Sequence, residues 1–114
     1  MSDVWVDANR AYMAQKWNDA QSLYEKLTEA FPSDSEAHFR LGVSAYRQGN
    51  AELAEKSFSH VVNLEPNNSK AMYNLAVLQI SSAYSLLKKC AINASSDVER
   101  EKYLEMIKNI ETIK

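Results

Sequence analysis

Apolar residues recur at helical spacing through most of the chain. In residues 35–49 the repeating positions are Leu41, Gly42 and Ala45. Residues 51–64 carry a second stripe, formed by Leu53, Ala54, Phe58, Val61 and Val62. Positions three and four apart lie on the same face of an α-helix. The pattern therefore predicts two consecutive amphipathic helices.

Residues with helix-capping and turn chemistry mark the ends of these helices. Ser33 and Glu36 have the spacing of a capping box at the start of the first. Gly49 offers the left-handed conformation that ends a helix, and Asn50 is placed to cap the next. Pro66 closes the second helix, because proline disfavours helical backbone in the residue before it. Together these signals predict one helix pair.

The C-terminal part follows a different pattern. No glycine or proline interrupts residues 69–92, so one long helix is predicted from Ser69 to Ile92. Ser96 or Asp97 is expected to cap a last helix, whose apolar stripe is Leu104, Ile107 and Ile110. Two interpretations of this part stay open: a solubilising cap, which an end repeat requires, or a dimerisation arm.

An internal repeat organises the chain. Pro32 and Pro66 lie 34 residues apart, and the same interval aligns many other pairs. Under this shift several residues fall on similar ones: Trp5 on Phe39 and Tyr73, Tyr12 on Tyr46, Ala20 on Ala54, Tyr24 on Phe58, Leu41 on Leu75, and Ala8 on Gly42 and Ala76. Because a fixed period of this length indicates stacked helix pairs, we expect an α-helical solenoid.

The segment 35–68 resembles a tetratricopeptide repeat. It carries the family's signature residues Leu41, Gly42, Ala54, Phe58 and Pro66. Residues 1–34 form a more degenerate copy, and residues 69–114 a divergent third repeat with a C-terminal cap. The resemblance implies an all-α, right-handed superhelical solenoid of about six helices within a single domain over 1–114. Departures from the family pattern include His38, where a large aromatic residue is usual.

In this family the first helix of each repeat usually lines a concave groove that binds a partner. The resemblance therefore implies a lining on three helices. The first contributes Trp5, Val6, Asn9, Tyr12 and Met13; the second Phe39, Arg40, Val43, Tyr46 and Arg47; and the third Lys70, Tyr73, Asn74, Val77 and Ile80. Aromatic residues and arginine are typical interface anchors.

One subgroup of the family clamps acidic C-terminal tails with Lys, Asn and Arg side chains. Asn9 and Lys70 match that set, whereas Trp5, Arg40 and Asn74 do not. The departures argue against a carboxylate clamp. They favour a peptide with apolar side chains, although Arg40, Arg47 and Lys70 could still hold an acidic group on that peptide.

Composition excludes several other classes of function. The net charge is −2 with scattered basic residues, which disfavours nucleic-acid binding. One cysteine and two histidines supply no disulfide, metal set or catalytic motif, so neither cofactor nor enzymatic activity is expected. The sequence contains no apolar run long enough to span a bilayer. A cytoplasmic location is expected.

The sequence thus predicts a peptide-binding adaptor or chaperone-like module. Three alternatives stay open: a self-associating scaffold, possible also as a homodimer; the interaction domain of a larger protein; and an enzyme that depends on Cys90. The resemblance implies another protein as the partner, and the composition argues against nucleic acid and membrane insertion.

Overall fold

The computed structural model describes residues 3–113, and these form six α-helices without a strand. The helices are α1 (Val4–Met13), α2 (Trp17–Ala30), α3 (Ser35–Arg47), α4 (Ala51–Leu64), α5 (Ser69–Ile92) and α6 (Asp97–Ile113). The all-α fold with an extended fifth helix is therefore confirmed.

The chain divides into two compact units, Met1–Leu75 and Ala76–Lys114. The first unit contains α1 to α4 and the first turns of α5, and the second contains the rest of α5 with α6. Within the first unit α1 packs on α2, α2 on α3, and α3 on α4. A single domain over 1–114 stays a prediction.

Small residues form much of the core of the first unit. Six alanines there have no solvent exposure: Ala8, Ala20, Ala37, Ala45, Ala54 and Ala71. At Gly42 an added Cβ would lie 2.8 Å from Cε1 of Phe58, which is closer than a Cβ tolerates. α3 and α4 therefore approach each other closely at Gly42.

The helix ends agree with the sequence signals except at one cap. Asp34, rather than Ser33, is the N-cap of α3, and its Oδ1 accepts a hydrogen bond of 3.0 Å from the Ala37 amide. The prediction of Ser33 was wrong because α3 begins at Ser35, so the capping side chain must come from position 34. Gly49 has the predicted positive φ of 80°, and Asn50 caps α4.

In the second unit a side-chain hydrogen bond joins α5 to α6. The Tyr84 hydroxyl donates to Oε2 of Glu111 at 3.0 Å, and Ile107 is buried. Leu104 is half exposed, so its place in the apolar stripe was predicted wrongly. The stripe instead runs through Tyr103, Ile107 and Ile110, which lie one helical turn apart.

Ser96 caps α6, as expected, by accepting a hydrogen bond of 3.2 Å from the Glu99 amide. Over residues 3–113, none of the helices is both long enough and apolar enough to cross a membrane.

Candidate functional site

The predicted groove residues differ in how much of each side chain is exposed. Partly buried members in the first unit are Trp5, Tyr12, Phe39, Arg40, Val43 and Asn74. Exposed members are Val6, Asn9, Met13, Tyr46, Arg47, Lys70 and Tyr73. Val77 and Ile80 belong to the second unit, where both are partly buried. The face that α1, α3 and the start of α5 contribute therefore includes large exposed apolar residues.

A cleft of about 540 Å³ brings four of these residues together. Tyr12, Phe39, Arg40 and Lys70 line it. Four further lining residues were not predicted: Ser35, Glu36, Glu65 and Asn68. Ser35 and Glu36 lie in the first turn of α3, Asn68 precedes α5, and Glu65 follows the last residue of α4. These positions at helix ends were the available signal in the sequence.

The exposed apolar part of the face lies outside this cleft's lining. Met13 is 76% exposed, Tyr46 53% and Tyr73 69%. Exposed aromatic and methionine side chains are enriched at protein interfaces relative to the rest of a protein surface. They are the most exposed of the large apolar residues in the predicted set.

Arg40 is the centre of a polar cluster that joins three helices. Its Nη1 donates to Oδ1 of Asn9 on α1 at 2.8 Å and to the hydroxyl of Tyr24 on α2 at 3.3 Å. The Tyr24 hydroxyl in turn donates to Asn9 Oδ1. The guanidinium also lies 4.9 Å from the ring centre of Tyr12, in a cation–π contact. Arg40 therefore links the second helix pair to the first.

The charge of Arg40 is balanced within the cluster. Its Nη2 lies 2.9 Å from Oε1 of Glu36, one turn earlier on α3. Partial burial acts to lower the pKa of Arg40, but the hydrogen bond with Tyr24 and nearby acidic groups outweigh it, so the pKa is raised. Burial also raises the pKa of the Tyr24 hydroxyl. At neutral pH Arg40 is thus charged, Tyr24 is neutral, and Glu36 offsets the positive charge.

Three predicted aromatic residues pack partly within the protein. The Trp5 ring lies 5.7 Å from that of Phe31, and Tyr12 contacts Trp17 edge-on at 5.4 Å. Phe39 meets Phe58 of α4 at 5.5 Å. Because these rings contribute to the core, they are less available to a partner than Tyr46 and Tyr73.

Among the described residues, no three His, Cys, Asp or Glu side chains lie close enough to hold a metal ion. The single cysteine, Cys90, is a partly buried free thiol in α5.

Comparison with known proteins identifies the repeats. Residues 7–62 match the sequence profile of the tetratricopeptide repeat. The chain is also similar to the probable UDP-N-acetylglucosamine–peptide N-acetylglucosaminyltransferase SPINDLY of Arabidopsis thaliana, with 32% identity over 77 residues. That match covers 68% of this chain but only 8% of the relative's length.

The profile begins within α1 and ends within α4, so it includes both helix pairs of the first unit. It agrees with the 34-residue interval between Pro32 and Pro66 and with the buried alanines at the helix contacts. The helix pairs α1–α2 and α3–α4 of this chain therefore belong to the tetratricopeptide repeat family.

Proposed function

We propose that this chain is a protein-interaction module that binds an apolar peptide segment of a partner protein. Tetratricopeptide repeats generally mediate protein–protein interactions, and their fold is typically non-catalytic. The proposed surface consists of α1, α3 and the first turns of α5. An adaptor or chaperone-like role requires only binding, with no chemical step.

The observation that carries the proposal is the contrast between Arg40 and the exposed apolar residues. Arg40 is held by Asn9 and Tyr24 and paired with Glu36, so its guanidinium is less available to an acidic ligand. Tyr46 and Tyr73 are more than half exposed. A surface of this kind gains free energy chiefly by removing apolar area from water. It therefore favours apolar side chains over a carboxylate.

The test uses two exposed positions of the proposed surface. A photo-reactive phenylalanine derivative placed at Tyr46 would identify the partner segment by cross-linking in the lysate of the source cell. Binding of that segment is then measured by calorimetry for the wild type and for Tyr46→Glu/Tyr73→Glu. We expect at least tenfold weaker binding, or about 1.4 kcal/mol or more. Circular dichroism must show that the double variant keeps the helicity of the wild type.

Leu64→Glu provides the matched control. Leu64 is 39% exposed at the end of α4 and lies outside the proposed surface. The change therefore adds a charge without altering the proposed surface. Equal weakening by both variants would contradict the assignment of the surface. Cross-linking only to a second copy of this chain would support the self-associating scaffold instead.

A second candidate is the interaction segment of a larger protein. It is favoured by the match to SPINDLY, of whose length this chain covers 8%. Immunoblotting of the native source with an antibody against residues 3–113 distinguishes the two candidates. A band far heavier than a chain of 114 residues supports the larger protein, and a band of that size contradicts it.

A further inference from the structure

The two histidines of the chain stack on each other between α3 and α4. Their ring centres are 4.7 Å apart and the ring planes differ by 25°. His38 of α3 is buried, with 6% exposure, whereas His60 of α4 is exposed. The stack therefore joins an internal imidazole to one that exchanges protons with water directly.

The hydrogen bond of His38 fixes which of its nitrogens carries a proton. Nε2 lies 2.9 Å from the carbonyl oxygen of Pro32, in the connection between α2 and α3. A carbonyl oxygen only accepts, so Nε2 of His38 is the donor. This bond persists when the ring becomes a cation, because both nitrogens of a cationic imidazole carry protons. The carbonyl thus accommodates either protonation state of His38.

Charged groups around His60 oppose its protonation. Among residues 3–113, those acting on it are His38 from α3 and Lys56, one turn earlier on α4. Burial, then the charge of His38 and that of Lys56, lower the pKa of His60. In the connection before α3, the Asp34 carboxylate is engaged by the Ala37 amide. The stack is therefore favourable only while at least one ring is neutral.

The stack adjoins the closest contact of the second helix pair. Phe39, next to His38, packs edge-on against Phe58 at 5.5 Å, and Phe58 leaves no space for a side chain at Gly42. A disturbance at His38 therefore falls on a tightly packed interface. Phe39 also lines the cleft described above.

We propose that the His38–His60 stack is an acid-responsive contact that loosens the α3–α4 pair when both imidazoles become charged. Protonation of the second ring places two like charges face to face beside Lys56. The exposed His60 ring then leaves the stack and uncovers His38. The proposal concerns the stability of the helix pair and does not depend on the proposed binding function.

The direction of the pH effect follows from the lowered pKa of His60. A base that binds protons less readily when folded stabilises the fold above its unfolded pKa, which is about 6.5 for histidine. That stabilisation is lost as the pH falls from there through the folded pKa. We expect the urea midpoint of the wild type to fall between about pH 7.5 and pH 5.5, the range in which histidine titrates.

His60→Phe is the decisive variant, because phenylalanine keeps an aromatic ring on the stack and cannot be protonated. We expect it to lose less than half as much stability over the same pH range. The Hε1 resonances of the wild type supply a second readout. The His60 resonance should titrate with a midpoint below about 6.5, the ordinary pKa of histidine. The Lys56→Gln variant should raise that midpoint.

Two results would overturn the proposal. One is a loss of stability in His60→Phe as large as that of the wild type, since the acid effect would then arise elsewhere. The other is titration of His60 at or above its ordinary value. The chain has two histidines, so the resonance that disappears in His60→Phe belongs to His60 and the one that remains belongs to His38.

Discussion

The two helix pairs of the first unit share one register but differ at their closest contact. Ala8 of α1 and Gly42 of α3 are equivalent positions, as are Tyr24 of α2 and Phe58 of α4. Ala8 is fully buried with its methyl group in place, whereas a methyl at Gly42 would meet the ring of Phe58 at 2.8 Å. The same pair of positions therefore accepts a methyl group in one repeat and excludes it in the other.

The hydroxyl of Tyr24 is the chemical difference between the two contacts. It hydrogen-bonds to Asn9 and Arg40, outside the interface with Ala8. Phe58 has no such group, and its ring packs against Phe39. We interpret the hydroxyl as a tether that holds the Tyr24 ring where Ala8 fits.

The turns within the two pairs differ as well. Gln15 has a φ of 59°, the left-handed conformation that its equivalent, Gly49, adopts at 80°. Lys16 provides no side-chain cap for α2, whereas its equivalent, Asn50, caps α4 through the Leu53 amide. The second pair therefore has the more favourable turn chemistry, and the first keeps the same backbone with less suitable residues.

Gly42→Ala tests the contact with the largest expected effect. We expect a loss of about 2 kcal/mol in the free energy of unfolding, because the buried Phe58 ring must shift to admit the methyl group. Urea denaturation measures it. Without the clash the change would stabilise the helix by about 1 kcal/mol, through the higher helix propensity of alanine. The sign of the change in unfolding free energy therefore shows whether the added methyl group clashes with the Phe58 ring.

Combining Gly42→Ala with Phe58→Leu provides the control. A smaller side chain at position 58 gives the new methyl group room, so the double variant should lose less than the sum of the single changes. Simple additivity of the two losses would contradict direct contact between the added methyl and the ring.

Tyr24→Phe makes the first pair resemble the second and is expected to have an intermediate effect. The change removes the hydroxyl that Asn9 and Arg40 share. We expect a loss of about 1 to 1.5 kcal/mol in thermal or urea unfolding, the usual net contribution of a hydrogen bond, including one to a charged group. Tyr12→Phe is the matched control, because Tyr12 contributes its ring rather than its hydroxyl to the contacts with Trp17 and Arg40. Equal losses in the two variants would exclude the tether.

Gln15→Gly has the smallest expected effect and tests the turns. Glycine adopts positive φ without the strain of a side chain, so we expect the urea midpoint to rise by the equivalent of about 0.5 kcal/mol. The reciprocal change Gly49→Gln should lower the stability of the second pair. If both changes destabilise, the turn of the first pair depends on the Gln15 side chain itself.

Much of this fold is predictable from the 34-residue register. The limits of α4 and α5 agree with the predicted ones, because Gly49, Asn50 and Pro66 act on the local backbone whatever surrounds them. The cap of α3 was misplaced by one residue, since Ser33 and Asp34 both have capping side chains. Local chemistry alone does not decide between neighbouring caps.

The candidate surface was predicted less completely. The register placed Asn9, Tyr12 and Arg40 on one face, but it did not predict that they bond to one another. Arg40 is equivalent to Val6 and Asn74, so its contact with Tyr24 has no counterpart that a repeat could reveal. Nor did the sequence predict the ion pair between Glu36 and Arg40.

By itself the sequence determined the helices, their order and the small residues at their crossings, because helical periodicity and capping chemistry operate over a few residues. Only the tertiary structure decided which side chains meet across helices. The Arg40 cluster, the contact of Phe58 with Gly42 and the stacked histidines each join residues far apart in the chain. Such contacts depend on how packed helices orient their rotamers, which no spacing along a single chain specifies.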